Sequence, residues 1–190
     1  MKNIAIMASG SGTNCEHIIQ FFRMKHCAQV KLVLTNNPEA YVIKRVKKYQ
    51  IETVIFNREQ FYKGDEILNL LKEKKIDFIA LAGFLWLVPK PIIEAFSGRI
   101  VNIHPALLPE YGGKGMYGSH VHEAVLKNGD KISGITIHFV NEKYDEGDIV
   151  FQSICKIDPD ETPDSLAEKV HRLEYQFYPE IIEKLLDGIN

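Results

Sequence analysis

Along its first half the chain alternates short apolar runs with stretches whose apolar residues recur at helical spacing. The runs at residues 3–8, 30–35 and 52–56, with Phe78–Leu81 and Ile100–His104, are rich in Ile, Val and Leu. They read as strands buried on both faces. Helices are expected between them at 14–24 (Cys15, Ile18, Ile19 and Phe22 inward), 41–49 (Val42, Ile43, Val46) and 65–74 (Ile67, Leu68, Leu71). Strands joined by crossover helices require a mostly parallel sheet with helices on both faces, an α/β fold of the Rossmann-like kind.

The second half changes pattern. Residues 106–117 form a Pro- and Gly-rich loop, and 118–127 read as a helix. Strands are expected at 132–140 and 149–157, with too few residues between them for a crossover helix. They should therefore pair antiparallel at the sheet edge. Thr162 and Pro163 supply an N-cap and a first-turn proline, opening a last helix over 164–187 with Leu166, Val170, Leu173 and Phe177 spaced for burial. With no repeat, low-complexity segment or linker, residues 1–190 read as a single domain.

The composition fits a soluble globular protein: of 190 residues, 45% are apolar and 25% charged. Lys and Arg number 23 against 25 Asp and Glu, a net charge of −2, so the basic footprint of a nucleic-acid binder is absent. No apolar run is long enough to span a bilayer, and no signal peptide is expected, because the first strand runs straight into Ser9-Gly10-Ser11-Gly12. Cys15, Cys27 and Cys155 are odd in number and far apart, with no CxxC. This predicts a reduced, cytoplasmic chain and excludes a cysteine-rich zinc site.

Three motifs carry chemistry. The first, Ser9-Gly10-Ser11-Gly12-Thr13-Asn14, joins the first strand to the first helix, where backbone N–H groups favour a phosphate. A glycine turn with a Thr or Asn cap is the alternative. A dinucleotide is disfavoured, since Cys15 stands where GxGxxG needs glycine and the second strand ends Thr35-Asn36-Asn37 without an acid. The P-loop Gly-Lys-Ser/Thr is also missing. A phosphate monoester on a small metabolite fits better. The second motif is Asn102-Ile103-His104-Pro105. Its amide and imidazole lie two apart on a strand and so share a face, able to stabilise an oxyanion and move a proton. A hydrogen-bonded structural histidine is the alternative. The third couples His138 to the acidic segment Tyr144-Asp145-Glu146-Gly147-Asp148, which is either a solvated turn or the source of a carboxylate that pairs with His104 and raises its pKa.

SGSGTN after a first strand, LAGFLWLVP, NIHPALLP and HF…YDEGDIV together resemble, in order and over nearly the whole chain, the glycinamide ribonucleotide formyltransferases, folate-dependent enzymes of purine biosynthesis. The resemblance implies formyl transfer from 10-formyltetrahydrofolate, as co-substrate, to the amine of 5-phosphoribosyl glycinamide, without a metal. It implies catalytic roles for Asn102, His104 and Asp145, phosphate binding by Gly12, Thr13 and Asn14, and a ribose contact from Glu174. The folate would lie between Leu85, Trp86, Leu87 and Val88 on one side and Asn141, Glu142, Lys143 and Tyr144 on the other, next to Asn102. Small-molecule substrates, no nucleic acid, no membrane, and a monomer or weak homodimer are the matching expectations. The alternatives are a methionyl-tRNA formyltransferase and a formyltetrahydrofolate hydrolase, each of which usually carries a further domain. A non-catalytic nucleotide-sensing module is a rival of another class.

This chain departs from the family pattern in three places. Trp86 stands where Arg is frequent, Lys63-Gly64 precede the helix where a basic residue for the folate tail is expected, and the loop 111–117 is longer than in many relatives. Other constellations lead elsewhere. His120-Val121-His122 fails HExxH, and Ser11 lacks the flanking glycines of GxSxG, having Ser9 and Thr13 instead. Cys15 belongs to the inward stripe, and Lys44, Arg45, Lys47 and Lys48 are expected on a solvated face.

Overall fold

The computed structural model describes residues 1–189. Seven strands, β1 (Lys2–Met7), β2 (Ala28–Thr35), β3 (Glu52–Ile55), β4 (Phe78–Leu81), β5 (Ile100–His104), β6 (Ile132–Phe139) and β7 (Ile149–Lys156), form one sheet in the order β3-β2-β1-β4-β5-β6-β7. The first five are parallel, and β6 and β7 add antiparallel to the β5 side, as the short β6–β7 connection requires. The helices are α1 (Thr13–Lys25), α2 (Tyr41–Lys47), α3 (Arg58–Tyr62), α4 (Glu66–Glu73), α5 (Lys90–Ala95), α6 (Ser119–Asn128) and α7 (Pro163–Asp187).

Two apolar layers sandwich the sheet. One holds Ile4, Ile6 and Val101 against α1, α2 and α7; the other holds Ala5, Met7 and Ile79 against α3, α4 and α5. Successive residues of β1 serve opposite layers, which is why that strand is apolar throughout. Cys15 lies in the first layer, where burial raises its thiol well above the ordinary value. Two short helices, α3 and α5, interrupt what the sequence presents as loops. Each spans less than two turns, too few for an apolar period to show. Asn57 and Gln60 nevertheless form a reciprocal capping box at α3, a local signal that was there to be read.

The inward stripe of α7 differs from expectation. It runs Leu166, Val170, Glu174, Tyr178, four residues apart, while Leu173 and Phe177 are only partly buried. A carboxyl group thus occupies an apolar stripe at 5% exposure, and burial pushes its pKa from 4.5 up to about 7 against the pull of the Asn14 amide. Because the folded-state value lies above the unfolded one, the native chain keeps a proton that the unfolded chain has released. This contribution is complete below pH 4.5, is lost as pH rises towards 7, and is then constant. Its size is about 3 kcal/mol. Denaturant titrations from pH 4.5 to 8 should show the stability of the wild type falling relative to that of Glu174→Gln by about this amount, the contribution of the histidines that titrate in the same range being common to both. Parallel stability curves would show that Glu174 titrates normally.

Candidate active site

The strand order reverses between β1 and β4, and the crevice beyond their carboxyl ends is where open α/β sheets bind ligands. The loop after β1 and the segment after β4 are tied together there. Ser9 N–H donates to the Gly83 carbonyl at 3.0 Å, and Ser9 Oγ accepts from Leu85 N–H at 3.0 Å while donating to Asn36 at 2.6 Å. Gly12 adopts φ +74 as the N-cap of α1, and no side chain caps the helix, so neither Thr13 nor Asn14 fills the role that a plain capped turn would give it. The first N–H groups of α1 therefore remain available to an anion. Gly12 is glycine for a second reason: a Cβ there would lie 2.4 Å from Val42 Cγ2 on α2. Gly10 has nothing within 4 Å of such an atom. Asn14 reaches sideways, donating from Nδ2 to Glu174 Oε2 at 2.8 Å, and its buried Oδ1 has no partner. The basic face of α2 is only partly solvated, because Arg45 and Lys48 both engage Glu16 at 2.6 Å.

On β5, Asn102 and His104 share a face, and the β6–β7 turn folds across it to place Asp145 between them. Asn102 Nδ2 donates to Asp145 Oδ1 at 3.3 Å and lies 3.2 Å from His138 Nε2. His104 Nδ1 is 3.6 Å and His138 Nε2 3.5 Å from the same carboxylate. The His104 Nε2–H donates to the Tyr111 carbonyl at 2.8 Å, and Gly113 N–H donates to Asp145 Oδ2 at 2.9 Å. The long loop after β5 thus closes over the cluster. Tyr111 and Asp145 both carry φ 56, a conformation that costs a residue with a side chain about 1 kcal/mol or more and is held here by these bonds.

The charges need one correction. Burial pushes the Asp145 carboxyl up, but His138, His104 and the Gly113 N–H together outweigh it, and the net value is lowered. For His104 the balance is opposite. Burial lowers its pKa, and although Asp145 and the Tyr111 carbonyl pull it up, the net shift is downward. The upward net shift expected for His104 is therefore not found: Asp145 acts in the expected direction but is outweighed by burial.

The two expected folate walls face each other. Lys90, just past Val88, lies 3.7 Å from Glu142, and Tyr62 donates to the Leu87 carbonyl at 3.0 Å. Leu85 is exposed and Trp86 partly so, whereas the Val88 side chain points into the core. Asn141 accepts from Lys143 N–H at 2.9 Å, shaping the turn that carries Lys143 and Tyr144. The cation against this wall is one that sequence reasoning missed: the Arg58 guanidinium lies 4.7 Å over the Trp86 ring, within a group of Phe56, Phe61, Tyr62 and Phe84. Among the described residues no group of three or more His, Cys, Asp or Glu side chains is placed to hold a metal ion, and no helix is long and apolar enough to cross a membrane.

Residues 2–182 match the family described as formyl transferase. A phosphoribosylglycinamide formyltransferase of Bacillus subtilis is 33% identical over 195 residues, covering 100% of this chain and 97% of that protein. The chloroplastic phosphoribosylglycinamide formyltransferases of Arabidopsis thaliana and Vigna unguiculata are 38% and 36% identical over 95% and 98% of this chain, which spans only 64% and 61% of their length. Among solved structures, the phosphoribosylglycinamide formyltransferase of Bacillus halodurans superposes with a TM-score of 0.87 at 39% identity, over 97% of this chain and 95% of that one. The glycinamide ribonucleotide transformylase 1 of Symbiobacterium toebii gives 0.90 at 29% identity, over 99% and 89%. The crevice at the strand-order reversal, the Asn102–His104–Asp145 cluster and these likenesses agree, and the chain belongs to the formyl transferase family.

Proposed function

We propose that this chain transfers the formyl group of 10-formyltetrahydrofolate to the amine of 5-phosphoribosyl glycinamide, in the cytoplasm, where its three free cysteines would stay reduced. The observation that carries the reading is the Asp145 carboxylate set between the Asn102 amide and the His104 imidazole beyond the carboxyl end of β5. In this reading the ribonucleotide phosphate sits on the N-terminus of α1, held by Gly12, Thr13 and Asn14, with Glu174 at the ribose. The folate lies between residues 85–88 and 141–144, and Arg58 meets the carboxylates of its tail. A substrate amine arrives protonated, and His104, whose pKa burial lowers, takes that proton at Nδ1 beside Asp145. The free amine then attacks the formyl carbon, and Asn102 and the newly charged His104 donate to the oxyanion. The second amine proton passes to the departing folate nitrogen as the tetrahedral intermediate collapses. In the resting arrangement Asn102 donates to Asp145, so substrate entry exchanges that partner for the formyl oxygen, while the His104 Nε2–H stays on the Tyr111 carbonyl and Nδ1 is the atom that takes the proton and donates it to the oxyanion.

Formyl transfer measured with glycinamide ribonucleotide, methionyl-tRNA and water as competing acceptors separates this reading from the other formyl-folate enzymes, and transfer to tRNA or water alone would reject it. Asn102→Ala and His104→Ala should each lower kcat about 10²–10³-fold, as loss of one oxyanion donor does, with small changes in KM. Full turnover in either variant would remove that residue from the mechanism.

Asp145→Asn removes the charge that pulls His104 upward, so an NMR titration should find the ring pKa lower still, with turnover at neutral pH sharply reduced. Coincident titrations would leave Asp145 without influence on His104.

The glycine loop offers a cleaner test of the phosphate site than Gly12 allows. Gly12→Ala should destabilise the fold by about 2 kcal/mol or more through Val42, weakening both substrates together. Gly10→Ala has room for its methyl, so it should leave stability unchanged and selectively raise KM for the ribonucleotide. An equal rise for the folate would argue against the phosphate assignment.

A further inference from the structure

A closed set of hydrogen bonds holds the turn that leaves β5, and the chemistry above leaves it unused. Thr136 stands opposite His104 in the β5–β6 register and is fully buried. Its hydroxyl donates to the Ala106 carbonyl at 2.7 Å and accepts from Leu108 N–H and Gln152 Nε2, both at 2.9 Å. One donor and two acceptor sites are all that a hydroxyl has. Gln152, on the outermost strand β7, gives its other amide hydrogen to the Leu108 carbonyl at 3.0 Å. Two side chains thus take up both backbone groups of Leu108 and the carbonyl of Ala106. Behind them, a Cβ on Gly134 would come within 3.0 Å of Leu107 and 2.0 Å of the Ser153 carbonyl, so the turn lies flat against the β6–β7 hairpin.

The position of this turn matters for His104. It begins just after the ring's own residue and ends just before Tyr111, whose carbonyl receives the His104 Nε2–H. Pro105 and Pro109 flank it and have no N–H of their own to anchor it. Tyr111 sits at φ 56, its hydroxyl donating to Asp130 at 2.6 Å, so the turn and Asp130 hold the residue from its backbone and its side-chain end.

We infer that Thr136 and Gln152 are positioning residues: by clamping the Ala106–Leu108 turn they keep the Tyr111 carbonyl on His104, which fixes the proton on Nε2 and leaves Nδ1 toward Asp145. The inference rests on the catalytic reading of His104 given above. Neither residue touches the reacting atoms in that reading.

The test uses Thr136→Val, Thr136→Ser and Gln152→Leu in the full chain, with kcat, KM for both substrates, and the ¹⁵N shifts of the His104 ring. Gln152 lies on the exposed edge strand, so its replacement spares the core if Thr136→Val folds poorly. Displacing a reacting group by a fraction of an ångström costs rate more than binding, so Gln152→Leu and Thr136→Val should each lower kcat about tenfold. KM should stay within about threefold of the wild type, and the ring signals should move from the Nε2–H tautomer toward a mixture. Thr136→Ser, which keeps the hydroxyl, should restore both readouts. Wild-type kcat and unchanged ring shifts in Gln152→Leu would overturn the inference, as would a Thr136→Ser variant no better than Thr136→Val. A wild-type chain without formyl transfer would instead sink the catalytic reading, and the ring shifts would still decide whether the clamp holds His104.

Discussion

A carboxylate taken out of solvent can only accept hydrogen bonds, and Asp145 imposes that requirement on everything around it. Its two oxygens face Asn102 and His104 from β5, His138 from β6 and the Gly113 N–H from the loop after β5. No two of these elements could shift apart without stranding the charge. The left-handed backbone at Asp145 is the local cost of bringing the β6–β7 turn back over β5. That arrangement joins a strand, its antiparallel neighbour and a long loop into one rigid cluster.

Burial acts on three ionisable groups near the crevice, and the number of compensating partners decides each outcome. Asp145 has several donors and is held below the usual carboxylate range. Glu174 has the Asn14 amide alone, and burial carries it up to about 7. His104 has an acceptor at each ring nitrogen, yet desolvation of its charged form prevails. A base whose pKa burial lowers suits the proposed reaction, in which an amine must first lose a proton.

The register of the antiparallel edge serves both the cluster and the turn behind it. Asn102 pairs with His138 and His104 with Thr136, so of the two β6 residues His138 reaches toward the carboxylate and Thr136 toward the turn after β5. A parallel neighbour joined by a crossover helix could not feed directly into the short turn that carries Asp145. The family likeness covers this edge as well as the parallel half, since the match runs from residue 2 to residue 182.

The sequence by itself determined the order of strands and helices, the parallel half of the sheet, its antiparallel edge and the shared face of Asn102 and His104. These follow from periods of 2 and 3.6 residues and from short connections, all of them local. The short helices α3 and α5 escaped because they offer too few residues for a period, though the Asn57–Gln60 capping box marked one of them. The Tyr111 carbonyl and the Gly113 N–H escaped because backbone groups have no signature in residue identity. Arg58, Thr136 and Gln152 are unremarkable letters until folding sets them beside Trp86 and the turn at Leu108. Gly12 looks like a ligand glycine and is also a packing glycine, a fact that only Val42 on another helix reveals. The charge states were decided by tertiary structure alone, because desolvation and hydrogen-bond partners come from residues far apart in the chain. That is why the pKa of His104, expected to rise beside its acid, is lowered on balance by burial.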